Sequence, residues 1–247
     1  MTEFIGGLDQ ILNPKLRVVV LTGAGVSMES GVPIFRGKGS MWENEVARNL
    51  AERSGPPWNT KETWEYYEWW RSVVSKCEPN LAHLTLAKME KELQNFCLIT
   101  QNIDGLHTRA GNKRVYELHG NIWRGRCLDC GKIVDLPKTP LGSLPPCCEC
   151  GAALRPDVIE FGESLNPATL RAAIDASEHA EIFLVVGTSG VVSPARDMPL
   201  IALEKGATVV EINRDPSALT PLVTRTILEK ASEILPGLWK EFLEKKK

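Results

Sequence analysis

No stretch of this chain approaches the roughly 18 apolar residues that a membrane span needs. Its longest apolar runs have strand length, such as Ile182 to Val186. The opening MTEFIGGLDQ has no basic start and no apolar run behind it, so no secretory signal is legible and a soluble, cytoplasmic protein is expected. An excess of one charge is missing too. The 247 residues carry 29 basic and 31 acidic side chains, a net of −2. That excludes a polycation holding nucleic acid through bulk charge. There is no internal repeat and no low-complexity tract. Apolar residues at 43% and charged residues at 24% are those of a globular chain, long enough for one large α/β domain with a small insertion.

What is present is alternation. Short, nearly continuous apolar runs at residues 17–22, 97–101, 115–118, 158–161, 182–187 and 207–212 predict parallel strands covered on both faces. Helical periodicity fills residues 80–94, 167–179, 194–205 and 231–245. Together they predict an α/β fold, a doubly wound parallel sheet. Two stretches break the pattern. Residues 38–79 hold no strand but carry an aromatic-rich helix at 63–76, whose Trp64, Tyr67 and Trp70 read as core; residues 124–155 hold five of the seven cysteines. The expected division is a large lobe from 1–37, 80–123 and 156–247. A small lobe joins a helical module, 38–79, to a cysteine module, 124–155.

The cysteines carry the sharpest metal signal. Cys127-x-x-Cys130 and Cys147-x-x-Cys150, each followed by a glycine, match a tetrahedral zinc site built on two knuckles. Four thiolates close the shell, so the metal is expected to be structural. Cys148 is a spare thiol in the second knuckle and an alternative to Cys147, although the two-residue spacing favours Cys147.

Ligand chemistry gathers at strand ends, where open α/β sheets bind their ligands. The first strand runs into Gly23-Ala24-Gly25. The glycines suit a tight turn beside a phosphate, and a helix beginning near Ser27 would aim amides at that anion. The third glycine of the dehydrogenase fingerprint is missing, with Met28 in its place, so hydride transfer is not supported. A second strand ends in Gln101-Asn102-Ile103-Asp104, a third in His119-Gly120, and later ones in Gly187-Thr188-Ser189 and Asn213. Asp104 can accept from an amide, and His119 can act as a general base near neutral pH. His83, read as a helix surface or cap residue, His107 and His179 lack such company.

In their order along the chain these segments resemble the sirtuins, NAD-dependent protein-lysine deacylases. The segments are Gly23-Ala24-Gly25-Val26-Ser27, residues 30–37, Gln101–Asp104, residues 106–111, His119-Gly120, the two C-x-x-C pairs, Phe161-Gly162-Glu163, Gly187-Thr188-Ser189 and Asn213. The resemblance spans about residues 16–231. It implies a Rossmann-like large lobe and a small lobe made of a helical module and a zinc ribbon. NAD and an acyl-lysine peptide would meet in the cleft between them. It implies Gly23, Ala24, Gly25, Phe35 and Arg36 at the NAD site. Gln101, Asn102, Ile103 and Asp104 would border the ribose and nicotinamide. Gly187, Thr188, Ser189 and Asn213 would hold the adenosine half. Ile159, Phe161 and Gly162 would line the acyl-lysine channel. His119 would be the general base, with Asn102 beside it positioning ribose or water. Nicotinamide and O-acetyl-ADP-ribose would be the products, and acetylated proteins, a chromatin protein among them, the substrates. Relatives that prefer acidic acyl groups carry Tyr-x-x-Arg in the helical module. Here Trp70 stands three residues after Tyr67, and Arg71 follows it, so acetyl-lysine is expected over succinyl-lysine. Mono-ADP-ribosyl transfer from the same NAD site is the alternative enzyme activity. A non-catalytic zinc-ribbon module is the alternative outside enzymes, and no membrane or direct nucleic-acid partner is expected.

Overall fold

The computed structural model describes residues 15–34 and 40–245. Among these, the strands in chain order are β1 (Arg17–Thr22), β2 (Asn95–Thr100), β3 (Val115–Glu117), β4 (Gly120–Cys127), β5 (Ile133–Asp135), β6 (Leu154–Val158), β7 (Ile182–Val186), β8 (Thr208–Asn213) and β9 (Arg225–Leu228). Six of them form a parallel sheet of order β3-β2-β1-β7-β8-β9, and β5-β4-β6 form a separate antiparallel sheet.

The apolar character of β1 follows from its two buried faces. Val18 and Val20 pack with Leu86, Met89 and Leu235 from helices Leu81–Glu92 and Ala231–Lys245. Val19 and Leu21 point the other way, into Ala173, Met198 and Ala202 from helices Pro167–Glu178 and Asp197–Glu204. Successive strand residues alternate faces, so a strand covered on both sides shows no polar alternation.

One strand expectation needs correction, and β4, β5 and β9 lie outside the expected runs. Residues 158–161 do not form a sheet strand. β6 ends at Val158, and it belongs to the small antiparallel sheet. Ile159 N still donates to His119 O, one step beyond the Gly120–Val158 pair, and the chain leaves the ladder at Glu160, whose N donates to Glu163 Oε2. The edge strand β9 was not anticipated. Its half-exposed residues lack the continuous apolar run that marks the buried strands.

The aromatic helix runs over Lys61–Val74 and starts on Thr60, whose side chain accepts from Thr63 N. Trp64, Tyr67 and Trp70 are buried in one apolar cluster with Leu106, Ile122, Cys127, Cys148 and Leu154. The helix and the cysteine module therefore share a core. Arg71 ties them further. It is fully buried, and its guanidinium donates to Ile122 O, Leu136 O and Lys138 O and pairs with Glu68. It also lies 4.8 Å from the Trp123 ring centre. Arg71→Met leaves three carbonyls and one carboxylate without their donor. Loss of one partner from a buried pair costs about 3–5 kcal/mol, so chemical denaturation will find the variant destabilised by about that much.

Candidate active site

The chain leaves β1 toward β2 and returns to the opposite side of β1 as β7. The carboxyl ends of β1 and β7 therefore mark the switch point where a ligand crevice opens. A cleft of about 1070 Å³ lies there. Gly23, Ala24 and Gly25 line it together with Gln101, Asn102, Ile103 and His119. Gly187, Thr188, Ser189 and Asn213 line it from the β7–β8 side, and Ile159, Phe161 and Gly162 from the chain beyond β6. Phe35 and Arg36 fall outside the described residues. Asp104 is 4% exposed and is not among the lining residues. Its Oδ1 accepts from Leu106 N at 2.8 Å. Burial pushes its carboxyl up, against the downward pull of that amide and the Ser27 hydroxyl.

The glycine loop differs in part from its sequence reading. The helix starts at Ala24, not near Ser27. Gly23 N donates to Val186 O and Gly25 N to Gly187 O, so both amides are engaged by β7 and its loop. A Cβ on Gly25 would stand 2.8 Å from Gly187 O. Glycine is required here for the approach of two loops.

His119 and Asn102 each have their hydrogen-bond role determined by a neighbour. His119 Nδ1 lies 2.9 Å from Gln101 O. A carbonyl only accepts, so Nδ1 carries the proton and Nε2 keeps its lone pair. Burial lowers the His119 pKa below its usual 6.5, opposed by this hydrogen bond. The ring is therefore neutral at pH 7. The turn behind it needs Gly120, whose φ is +82° and where a Cβ would stand 2.0 Å from Asp157 O. Asn102 Nδ2 donates to Gly23 O and to Ser27 Oγ. With both amide protons engaged, Oδ1 is the atom Asn102 offers.

A buried polar layer lies under these residues. His83 Nδ1 accepts from Asn80 N, which leaves Nε2–H to donate to Ser27 Oγ at 3.3 Å. Thr22 donates to Thr100, so its oxygen accepts from His107 Nε2 at 2.9 Å. The two rings sit 4.7 Å apart. The cap reading of His83 holds, through its bond to Asn80 N, but the residue is buried and not on the surface; the part both histidines play beneath the cleft was passed over. Two signals were available: His83 follows the cap residue Asn80 by three positions, the spacing of a capping box, and Thr22 and Thr100 close neighbouring strands in register.

On the small-lobe side, Tyr67 Oη donates to Glu160 Oε1 at 2.6 Å, and both residues line the cleft. Burial and the adjacent Glu160 hold the Tyr67 pKa well above 10.0, so it stays a hydroxyl. Burial also raises Glu160, while Tyr67 and Arg155 pull it down.

At the cysteine module the expected ligand set needs one correction. The thiols that come together, all within 4.8 Å of one another, are Cys127, Cys130, Cys148 and Cys150. Cys147 is exposed and bridges to Ala153 through its backbone. Neighbours on extended backbone point to opposite sides, so the bridge that turns Cys147 outward turns Cys148 inward. The sulfurs of Cys127 and Cys150 are 3.5 Å apart, and those of Cys130 and Cys148 3.7 Å. A tetrahedral zinc at about 2.3 Å from each sulfur needs separations of about 3.8 Å. The four residues fit the ion, which would close its shell and hold the two knuckles together.

A sequence model described as the Sir2 family matches residues 23–194. The NAD-dependent protein deacylase of Aquifex aeolicus is 48% identical over 232 residues, covering 94% of this chain and 97% of that protein. The chain belongs to the Sir2 family. NAD-dependent protein deacylase 2 of Pyrobaculum aerophilum is 47% identical, over 94% of this chain and 93% of that one. Among solved structures, a Sir2 homologue in complex with NAD superposes with a TM-score of 0.83 at 36% identity, covering 100% of this chain and 95% of that one. A Sir2 complex with a p53 peptide and NAD+ gives 0.79 at 34%, over 98% of each chain. No helix among the described residues of this Sir2 chain is long and apolar enough to cross a membrane.

The histidine layer gives this Sir2 protein a pH signature. Burial lowers His83 from 6.5 to about 4 and holds His107 well below 6.5, with His83 adding to the effect. Well above pH 6.5 these rings are neutral in both folded and unfolded chains and contribute no pH dependence. Below it the unfolded chain takes up protons that the folded chain refuses, so stability falls as the pH drops toward about 4. Denaturant titrations across that window will show a loss that His83→Gln reduces.

Proposed function

We propose that the protein removes acetyl groups from lysines of other proteins, using NAD as co-substrate and releasing nicotinamide and O-acetyl-ADP-ribose. The observation that carries this reading is His119. The Gln101 carbonyl holds its tautomer, burial keeps it neutral, and it lines a cleft at the sheet's switch point. NAD, when bound, supplies the ribose carbon whose bond to nicotinamide breaks as the acyl oxygen bonds to it. The protein's own tasks are then to orient and to move a proton. His119 Nε2 takes a proton from a ribose hydroxyl. Asn102 Oδ1 accepts from a ribose hydroxyl or a water without adding charge. Thr188, Ser189 and Asn213 serve the adenosine half. Ile159, Phe161 and Gly162 form the side where the substrate lysine enters, its peptide pairing as a strand beside them.

Support comes from two directions. The relatives just described are NAD-dependent deacylases, and the polar groups of the cleft stand at the carboxyl ends of four strands. The helical and cysteine modules would form the small lobe that closes the cleft. A cytoplasmic location belongs to the same reading, because a four-thiol metal site needs a reducing compartment to keep its ligands free. A chromatin protein among the substrates is part of the proposal, and the net charge of −2 argues against direct nucleic-acid contact.

The test is mass spectrometry of an acetyl-lysine peptide incubated with protein and NAD. Deacetylation predicts loss of the acetyl mass with matching formation of nicotinamide and O-acetyl-ADP-ribose. A peptide that instead gains ADP-ribose would identify a transferase, and an unchanged peptide would refute both.

A further inference from the structure

Several carboxylates line the cleft without a part in that reaction, and Glu160 is the one that a small-lobe hydroxyl engages. Glu160 lines the cleft with Tyr67 and His119. Ile159 N donates to His119 O at 3.0 Å, so Glu160 is one residue from the backbone partner of the general base. Its Oε1 takes the Tyr67 hydroxyl. Its Oε2 has no hydrogen-bond partner among the described residues. Of the cations nearby, Arg155 attracts it through charge but gives it no hydrogen bond. Arg155 gives both terminal nitrogens to Glu163, at 2.6 and 2.8 Å. Arg71, four residues after Tyr67 on the same helix, turns its guanidinium to the carbonyls of the cysteine module. The wall of the cleft beside Tyr67 therefore presents a carboxylate oxygen, Oε2 of Glu160, that no described group engages, next to Ile159, Phe161 and Gly162.

We propose that Glu160 sets the acyl-chain specificity of the protein. It excludes lysine acyl groups whose far end carries a carboxylate, and it favours chains whose far end donates a hydrogen bond, such as a primary amide. This rests on the deacylase reading above. Two carboxylates brought together in a partly buried site repel. An amide N–H instead satisfies an oxygen that burial deprives of water. Acetyl has no polar far end and is indifferent to the choice.

The test uses one peptide sequence carrying acetyl-, succinyl- or succinamyl-lysine. Succinamyl is the primary amide of succinyl, nearly equal in size and shape, so the pair differs chiefly in charge. The wild-type protein should turn over the succinamyl peptide with a kcat/KM at least about tenfold above that of the succinyl peptide. Glu160→Gln should bring that ratio close to unity. Tyr67→Phe keeps the charge and should keep the preference. Equal wild-type rates on the two chains, no turnover of the succinamyl peptide, or an unchanged ratio in a folded Glu160→Gln protein would each overturn the proposal. The wild-type ratio decides by itself if that variant does not fold. The acetyl peptide separates the two levels. Failure to deacetylate it removes the deacylase reading and this inference with it, whereas acetyl turnover with no succinamyl preference removes this inference alone.

Discussion

Cys148→Ser will strip the metal from the protein, and Cys147→Ser will not. Metal analysis should find about one zinc per chain in the wild type and in Cys147→Ser, and much less in Cys148→Ser. The reason lies in the second knuckle. Cys148 N donates to Ala152 O, and Gly151, at φ +92°, turns the chain so that Gly151 N reaches Cys148 O. That loop is one residue shorter than the first, where Gly131 N reaches back to Cys127 O. Cys148, 6% exposed, thus meets the other three sulfurs, while Cys147 faces solvent. Structural zinc contributes roughly 10–16 kcal/mol to the folding of small metal domains. Because Cys127, Cys148 and Leu154 share a cluster with Trp64 and Trp70, the loss will spread. Thermal melts of Cys148→Ser should show early loss of tryptophan signal. Equal zinc content in the two variants would show that the second knuckle uses either thiol.

His119→Ala will lower the rate of deacetylation by about 10²–10⁴-fold, the usual contribution of a positioned general base. Thermal stability should change little, since His119 makes its side-chain bond to a carbonyl beside a cleft. Zinc content should not change. The pH profile gives a second readout. With the His119 pKa held below 6.5 by burial, the base form dominates at neutral pH, so turnover by the wild type should be level across pH 7. It should fall only as the pH drops below the value of a free histidine, where the ring takes a proton. A variant with near-normal turnover, or a wild-type acid limb centred above 6.5, would remove His119 from the role of base.

How far the site is legible along the chain differs from residue to residue. Asn102, His119, Thr188 and Asn213 could be picked out because each follows an apolar run, and the carboxyl end of a buried strand is where an α/β sheet places its ligands. The same rule picked out Asp104, but position after a strand does not state that it lies buried with its Oδ1 accepting from Leu106 N. Phe161 and Gly162 came from the family pattern and not from periodicity, since the run at 158–161 continues no sheet strand.

The sequence by itself determined the class of fold, the switch-point cleft and the presence of a four-sulfur site. Those depend on periodicity and spacing, which are properties of neighbours along the chain. The tertiary structure alone decided that Cys148 and not Cys147 faces the other sulfurs. It also decided that Arg71 serves the cysteine module rather than the cleft, that Glu160 meets Tyr67, and that His83 and His107 lie buried beneath Ser27 and Thr22. Each of those outcomes depends on which way one side chain turns. That direction is set by hydrogen bonds and packing that the folded chain brings together, such as the side-chain bond between Thr22 and His107 across 85 positions, and local pattern carries no record of them.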